Sequence, residues 1–137
     1  MEPTYSVSEK FFVNRALYKV SSPKRGDVIV FKTSASDSAA LHIRRVIGLP
    51  GETVQVKDGK IYINGKVYEE NGAYQDMTDG GLANSAITLE SGEYFVLGDN
   101  RNNSEDSRYA NIGNIKKDYI IGKAWFRIAP FSEIGFL

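Results

Sequence analysis

Between residues 53 and 68, three short segments alternate apolar with polar residues: Thr53-Val54-Gln55-Val56, Lys60-Ile61-Tyr62-Ile63 and Lys66-Val67-Tyr68. They are separated by Asp58-Gly59 and Asn64-Gly65, dipeptides that supply the positive φ a tight hairpin turn demands. A period of two over this span is the signature of strands with one buried face, so the region is expected to form a three-strand meander. Strands are expected elsewhere as well. Residues 27–31 form an apolar run behind Pro23-Lys24-Arg25-Gly26, and residues 42–47 form a β-branched run stopped by Gly48-Leu49-Pro50-Gly51. Residues 93–97 and 119–128 complete the set, the last interrupted at Gly122 and ended at Ala129-Pro130. No segment holds a helical period and no repeat occurs. Residues 69–92 are polar, with Asp79-Gly80-Gly81 at their centre, and read as a long irregular excursion.

With 137 residues and 42% apolar content, the chain buries one core and is short for two. A single domain is expected. Seventeen basic residues balance seventeen acidic ones, which gives no electrostatic footprint for nucleic acid. Zero Cys excludes disulfides and thiolate zinc sites, and a single His among scattered carboxylates offers no ligand spacing for a metal. No cofactor is expected. No apolar run approaches the roughly 18 residues of a membrane span, and no charged-then-apolar leader is present, so the sequence as it stands reads as a soluble piece.

Residues 98–108 read GDNRNNSEDSR and follow the apolar run Tyr94-Phe95-Val96-Leu97. Buried charges are costly unless paired. Pairing of Asp99 with Arg101, or of Asp106 with Arg108, within a tight turn would fix the backbone so that Ser104 presents its hydroxyl at one place. Taken alone, a loop of this composition reads more readily as a solvated, charged hairpin loop.

The order MEPT, RGDVIVF, RRVIGLPGETV with KIYINGK, then YFVLGDNRNNSEDSR resembles the conserved boxes of type I bacterial signal peptidases, over residues 1 to about 131. The resemblance implies an all-β fold, a LexA-like catalytic core of antiparallel sheets carrying a β-hairpin meander. It implies one extracytoplasmic domain over residues 1–137, at the outer face of the bacterial cell membrane, without the N-terminal anchoring helix. The implied activity is that of a serine endopeptidase removing signal peptides from exported preproteins, with a Ser nucleophile and a Lys base. Preprotein signal peptides and the membrane surface are the implied partners.

Two departures stand against that pattern. The family's serine directly precedes Met-x-Pro-Thr, and here Met1 is the first residue. The expected serine, a second oxyanion donor and the anchor would therefore lie upstream. Ser6 and Ser8 lack the following Met-x-Pro and read as ordinary hydroxyls. At the position of the family's base stands Arg44, with Arg45 matching the family's arginine. A guanidinium has a pKa above about 12 and is not deprotonated in proteins. Loss of a general base costs on the order of 10² to 10⁴ in rate.

His42 is an alternative base, since residues i and i+2 of a strand share a face. They stand roughly 6 to 7 Å apart along the strand, however, and the plainer expectation is a strand-end His near solvent. The resemblance matches Ser104 to the serine that bonds the base, Asp106 and Arg108 to a supporting ion pair, and Asp99, Asn100, Arg101 and Arg45 to the surrounding frame. Asp106 or another retained carboxylate is expected to neutralise Arg44. Walls for an extended peptide are expected from residues 1–4, including Met1 and Pro3, and from residues 43–46, including Ile43 and Val46. Phe11, Phe12, Phe131, Ile134, Phe136 and Leu137 either rest on a bilayer or close the core. Two functions follow: a signal peptidase domain without its nucleophile, or an inactive relative that binds peptides or aids assembly, for example in pilus biogenesis.

Overall fold

The computed structural model describes residues 10–129 and 135–136. Its strands are β1 (Lys10–Asn14), β2 (Val28–Phe31), β3 (His42–Gly48), β4 (Thr53–Lys57), β5 (Lys60–Ile63), β6 (Lys66–Val67), β7 (Ile87–Thr88), β8 (Glu93–Leu97), β9 (Ile115–Lys116), β10 (Ile120–Ala129) and β11 (Gly135–Phe136). They form two antiparallel sheets. The larger runs β1-β10-β2-β3-β8-β9, with β11 also on β10, and the smaller runs β6-β5-β4-β7. The mostly β architecture expected from the alternating segments is the one observed.

The meander forms as its turns dictate. Lys57 pairs with Lys60 across Asp58-Gly59, and Ile63 with Lys66 across Asn64-Gly65. All four turn residues have positive φ, at 52°, 76°, 51° and 80° in chain order, the geometry that keeps the right-handed strand twist through a two-residue turn. Val54, Val56 and Ile61 point inward from this sheet and join Ile47, Phe95 and Leu97 in one buried cluster. From the opposite face of β3 and β8, Val46, Tyr94 and Val96 pack with Ile29, Phe31 and Ile115 in a second cluster. The centre of the larger sheet is thus covered on both faces, which is why β2 and β8 read as continuous apolar runs rather than alternating ones.

Residues 69–92 carry more order than their composition suggests. Met77, Ala83 and Leu89 are core residues, a 3-10 turn spans Gly81–Asn84, and β7 pairs with β4 through Thr53↔Thr88 and Val54↔Ile87. Three apolar anchors this far apart leave no period to detect. A one-turn helix, α1 (Leu17–Val20), is also too short to show a period. The Asn14 side chain accepts hydrogen bonds from the amides of Ala16 and Leu17 at its start. The Tyr18 hydroxyl donates to Asp27 at 2.7 Å.

Gly122 lies inside β10, where the pairing with β2 shifts register, so the interruption read there is a bulge within one strand. Among the described residues no helix is long and apolar enough to cross a membrane. Of the six apolar residues expected on a bilayer or in the core, Phe12 is 52% exposed and stacks on Trp125 with ring centroids 6.2 Å apart. Phe11 and Phe136 contribute backbone to β1 and β11. Phe131, Ile134 and Leu137 lie outside the described residues.

Candidate active site

Strands β3 and β8 pair from Arg45↔Leu97 inward, while Ile43 and His42 pair only with β2, at Val30 and Phe31. At Gly98 the chain leaves β8 and enters the loop 98–108. The loop is stitched back to the strand: the Ser107 amide donates to Val96 O at 3.1 Å and the Val96 amide to Ser107 Oγ at 2.9 Å.

Four charged side chains of the loop, Asp99, Arg101, Asp106 and Arg108, are each at most 2% exposed, and each is bonded. Arg108 donates from Nε and Nη2 to Asp106 at 2.8 and 2.9 Å, and Asp106 also accepts the Gly98 amide at 3.0 Å. The Arg108 guanidinium is raised above its ordinary value. Burial by itself would lower it, but the hydrogen bond and charge of Asp106 outweigh that effect. Asp106 and Arg108 therefore pair as expected.

Asp99 and Arg101 do not pair with each other. Asp99 takes Arg45, whose Nε and Nη2 lie at 2.9 and 2.8 Å. Arg101 takes Glu70, with Nη2 donating to Oε2 at 2.7 Å, and its guanidinium lies 4.2 Å from the Tyr74 ring centroid. Better partners from other elements displaced the local one. A charge 2% exposed or less needs a carboxylate in good bidentate geometry, and β3 and the excursion supply it.

Arg44 stands at the rim of the loop. Its Nε donates to Glu105 O at 2.7 Å and its Nη1 to Ile43 O at 2.6 Å. Burial pushes this guanidinium below its ordinary value, and the nearby carboxylates of Asp106 and Glu105 oppose the shift. Asp106, expected to neutralise Arg44, spends its oxygens on Arg108 and Gly98 and reaches Arg44 only through its field.

Ser104 packs on Gly98, on the side where the Arg44 stem also lies. Its hydroxyl has no hydrogen-bond partner among the described residues. Arg44 and Ser104 line one cavity of ≈ 670 Å³, together with Asn102, Asn103, Glu105 and Tyr109.

His42 is half-buried, stacked on its cross-strand neighbour Phe31 at 5.5 Å between centroids. Its pKa is lowered by burial first and by Arg44 next, with Glu105 opposing. Asn100 closes the tight turn, its carbonyl accepting the Asn103 amide at 3.0 Å. Ile43 is half-buried against Val28 and Ala124. Val46, expected as a groove wall, is instead 0% exposed in the core, because β2 and β8 flank it and both faces of the sheet are covered at that point. Met1, Pro3, Ser6 and Ser8 lie outside the described residues. Among the described residues no group of His, Cys, Asp and Glu is placed to hold a metal ion.

Sequence reasoning missed Glu70, Tyr74, Arg25 and Glu52. Arg25 forms a bidentate pair with Glu52 at 2.7 and 2.8 Å and donates to Ile47 O at 2.9 Å. Glu52 also accepts the Leu49 amide at 2.7 Å, which pins the turn that ends β3. Glu52 directly follows the Gly48-Leu49-Pro50-Gly51 stop, a position that could have drawn attention. Nothing in the spacing of Glu70 points to Arg101.

The family model described as signal peptidase, peptidase S26, matches residues 1–129. The chain is 37% identical over 141 residues to signal peptidase I T of Bacillus subtilis, covering 98% of this chain and 72% of that protein. It is 35% identical over 146 residues to a probable signal peptidase I-2 of Synechocystis, covering 100% of this chain and 62% of that protein, so it spans less than two thirds of that relative. The crystal structure of a signal peptidase I from Enterococcus faecalis V583 matches with a TM-score of 0.58 and 34% identity, covering 74% of this chain and 95% of that one.

Proposed function

The chain belongs to the signal peptidase family, peptidase S26, and from that premise we propose that it is a signal peptidase I-type domain that recognises extended signal peptides but is disarmed for Ser/Lys cleavage at Arg44. One observation carries the reading. Arg44, which the resemblance matches to the family's base, is a guanidinium that donates to two backbone carbonyls, Glu105 O and Ile43 O. A general base needs a lone pair, and a guanidinium in this setting has none to offer. Burial lowers its pKa, yet from a starting value this high the group remains a cation at neutral pH.

Recognition is supported by the strand edge. On the side away from β2, pairing of β3 with β8 begins only at Arg45↔Leu97, so among the described residues no strand covers that edge at residues 42–43. An extended peptide can add there through main-chain hydrogen bonds. Asp99, Arg101, Asp106 and Arg108, with Arg45, act in this reading as the frame that keeps the loop rigid beside the peptide. We take residues 1–137 as a single domain, because both core clusters draw on β3 and β8. We assign the domain to the extracytoplasmic face of the bacterial membrane, where exported preproteins emerge.

A second reading, an active serine endopeptidase with another proton acceptor, is favoured by one feature. His42 shares a face of β3 with Arg44, and burial together with Arg44 favours its neutral form. The two readings separate in a preprotein cleavage assay on a chain extended upstream so that serine precedes Met1. With Arg44 in place no cleavage is expected, and R44K should restore it. Cleavage with Arg44 present, abolished by H42A, would establish the second reading instead.

A further inference from the structure

We propose that Arg44 and Ser104 form a carboxylate site that takes the C-terminal α-carboxylate of an extended peptide, the end that hydrolysis leaves on a released signal peptide. The proposal rests on the peptide reading above and adds the chemistry of the peptide's end. It would make this domain a receptor for the product of a peptide-bond hydrolysis carried out elsewhere.

The Arg44 fork is oriented but unfilled. Its bonds to Glu105 O and Ile43 O hold the group in place, and the remaining N–H groups have no partner among the described residues. None of the ion pairs among the described residues includes it. A half-buried cation with open donors favours an anion of matching shape, and the planar guanidinium fork matches a carboxylate. The Ser104 hydroxyl opens on the same cavity and can donate a further hydrogen bond to the same group.

The surroundings select the charge of the ligand. Asp106 is buried close by and already holds Arg108. The exposed Glu105 carboxylate lies at the rim, 3.3 Å from Asn111 Nδ2. With Asp106 neutralised by Arg108 and Glu105 turned to solvent, the site offers the single positive charge of Arg44, which one carboxylate matches and which a doubly charged anion such as phosphate would exceed.

The strand edge selects a chain end over a side chain. The Val46 amide and carbonyl both bond to the segment leading into β2, so by alternation along β3 the Ile43 carbonyl faces the open edge. That carbonyl is already taken by Arg44 Nη1. A peptide laid along the edge therefore loses its next ladder acceptor at the point where the guanidinium begins, and a terminus fits there better than a continuing chain.

The test is calorimetric titration of the protein with three synthetic peptides ending in small residues: the free acid, its C-terminal amide, and an amidated peptide with Asp as the last residue. The free acid should bind about tenfold more tightly than the amide, the size expected for a charge-assisted hydrogen bond. That advantage should vanish in R44Q, survive in part in R44K, shrink in S104A and weaken with added salt. Circular dichroism verifies each variant's fold, and R44K with S104A carries the test if R44Q does not fold. Equal binding of acid and amide would overturn this proposal and leave the peptide reading standing. Failure of all three peptides to bind would overturn both. An acid advantage that persists in R44Q would remove Arg44 from the site. Equal binding of the Asp peptide and the free acid would overturn the assignment to a chain end.

Discussion

Gly98 and Ser104 are packed so closely that no side chain fits at residue 98. A Cβ built there would overlap the Ser104 side chain, and Cδ of Arg44 would lie 3.6 Å away. Ser104 thus owes its position beside Arg44 to a missing methyl group. G98A should cost about 1–3 kcal/mol, the range for overpacking a well-filled site, seen as a lower melting temperature. Pairing it with S104G should recover part of the loss, since that change vacates the contested space. A G98A protein as stable as the parent would contradict the packing described.

The Glu70–Arg101 pair joins the segment after the meander to the loop. Arg101 is 1% exposed at its side chain and Glu70 12%, so removing the carboxylate leaves a buried cation without its charge partner. E70Q should destabilise the domain by about 3–5 kcal/mol, the cost of breaking a buried ion pair from one side, measured by urea denaturation. Proteolysis in residues 69–76 should also accelerate, because Arg101 and Tyr74 lose the carboxylate that sets their stack. An unchanged urea midpoint would mean that Arg101 finds another partner.

The pair Arg25–Glu52 makes the turn that ends β3 contribute to acid stability. The Arg25 hydrogen bond first, and then the Leu49 amide, hold the Glu52 carboxyl below its ordinary value of 4.5, against the opposing effect of burial. A depressed folded-state pKa means that the unfolded chain binds the proton more readily. The contribution is therefore complete above about pH 4.5 and is lost as pH falls through the lower folded value. Melting temperatures taken from pH 7 to pH 3 should fall more steeply in the parent than in E52Q, whose residue 52 does not titrate. Parallel curves would refute the linkage.

His42 reports on Arg44. Burial and the neighbouring guanidinium lower its pKa below 6.5, so its imidazole signal in an NMR titration should have a midpoint below that value. R44Q removes the cation and should move the midpoint upward, while the part due to burial remains. The linked stability has the opposite sense to a His that gains a partner. The folded state holds His42 neutral, so stability begins to fall as pH drops through the unfolded value and levels off below the folded one. A midpoint that R44Q leaves in place would place Arg44 too far away to act.

The sequence by itself determined whatever depends on neighbours along the chain. Asp58-Gly59 and Asn64-Gly65 set the meander because positive φ is a property of those residues. Asp106 and Arg108 pair because they stand two positions apart within one turn, with only Ser107 between them. That residue 44 is a permanent cation was also plain from the letters. The tertiary structure decided which distant charges meet: Asp99 with Arg45, 54 positions away, and Arg101 with Glu70, 31 positions away. It also decided that Val46 is sealed between two strands and that the Arg44 fork has no carboxylate partner among the described residues. A turn is fixed by dihedral preferences its own residues carry. A buried charge takes whichever partner the folded sheets bring within about 3 Å, and that distance does not exist until the strands have paired.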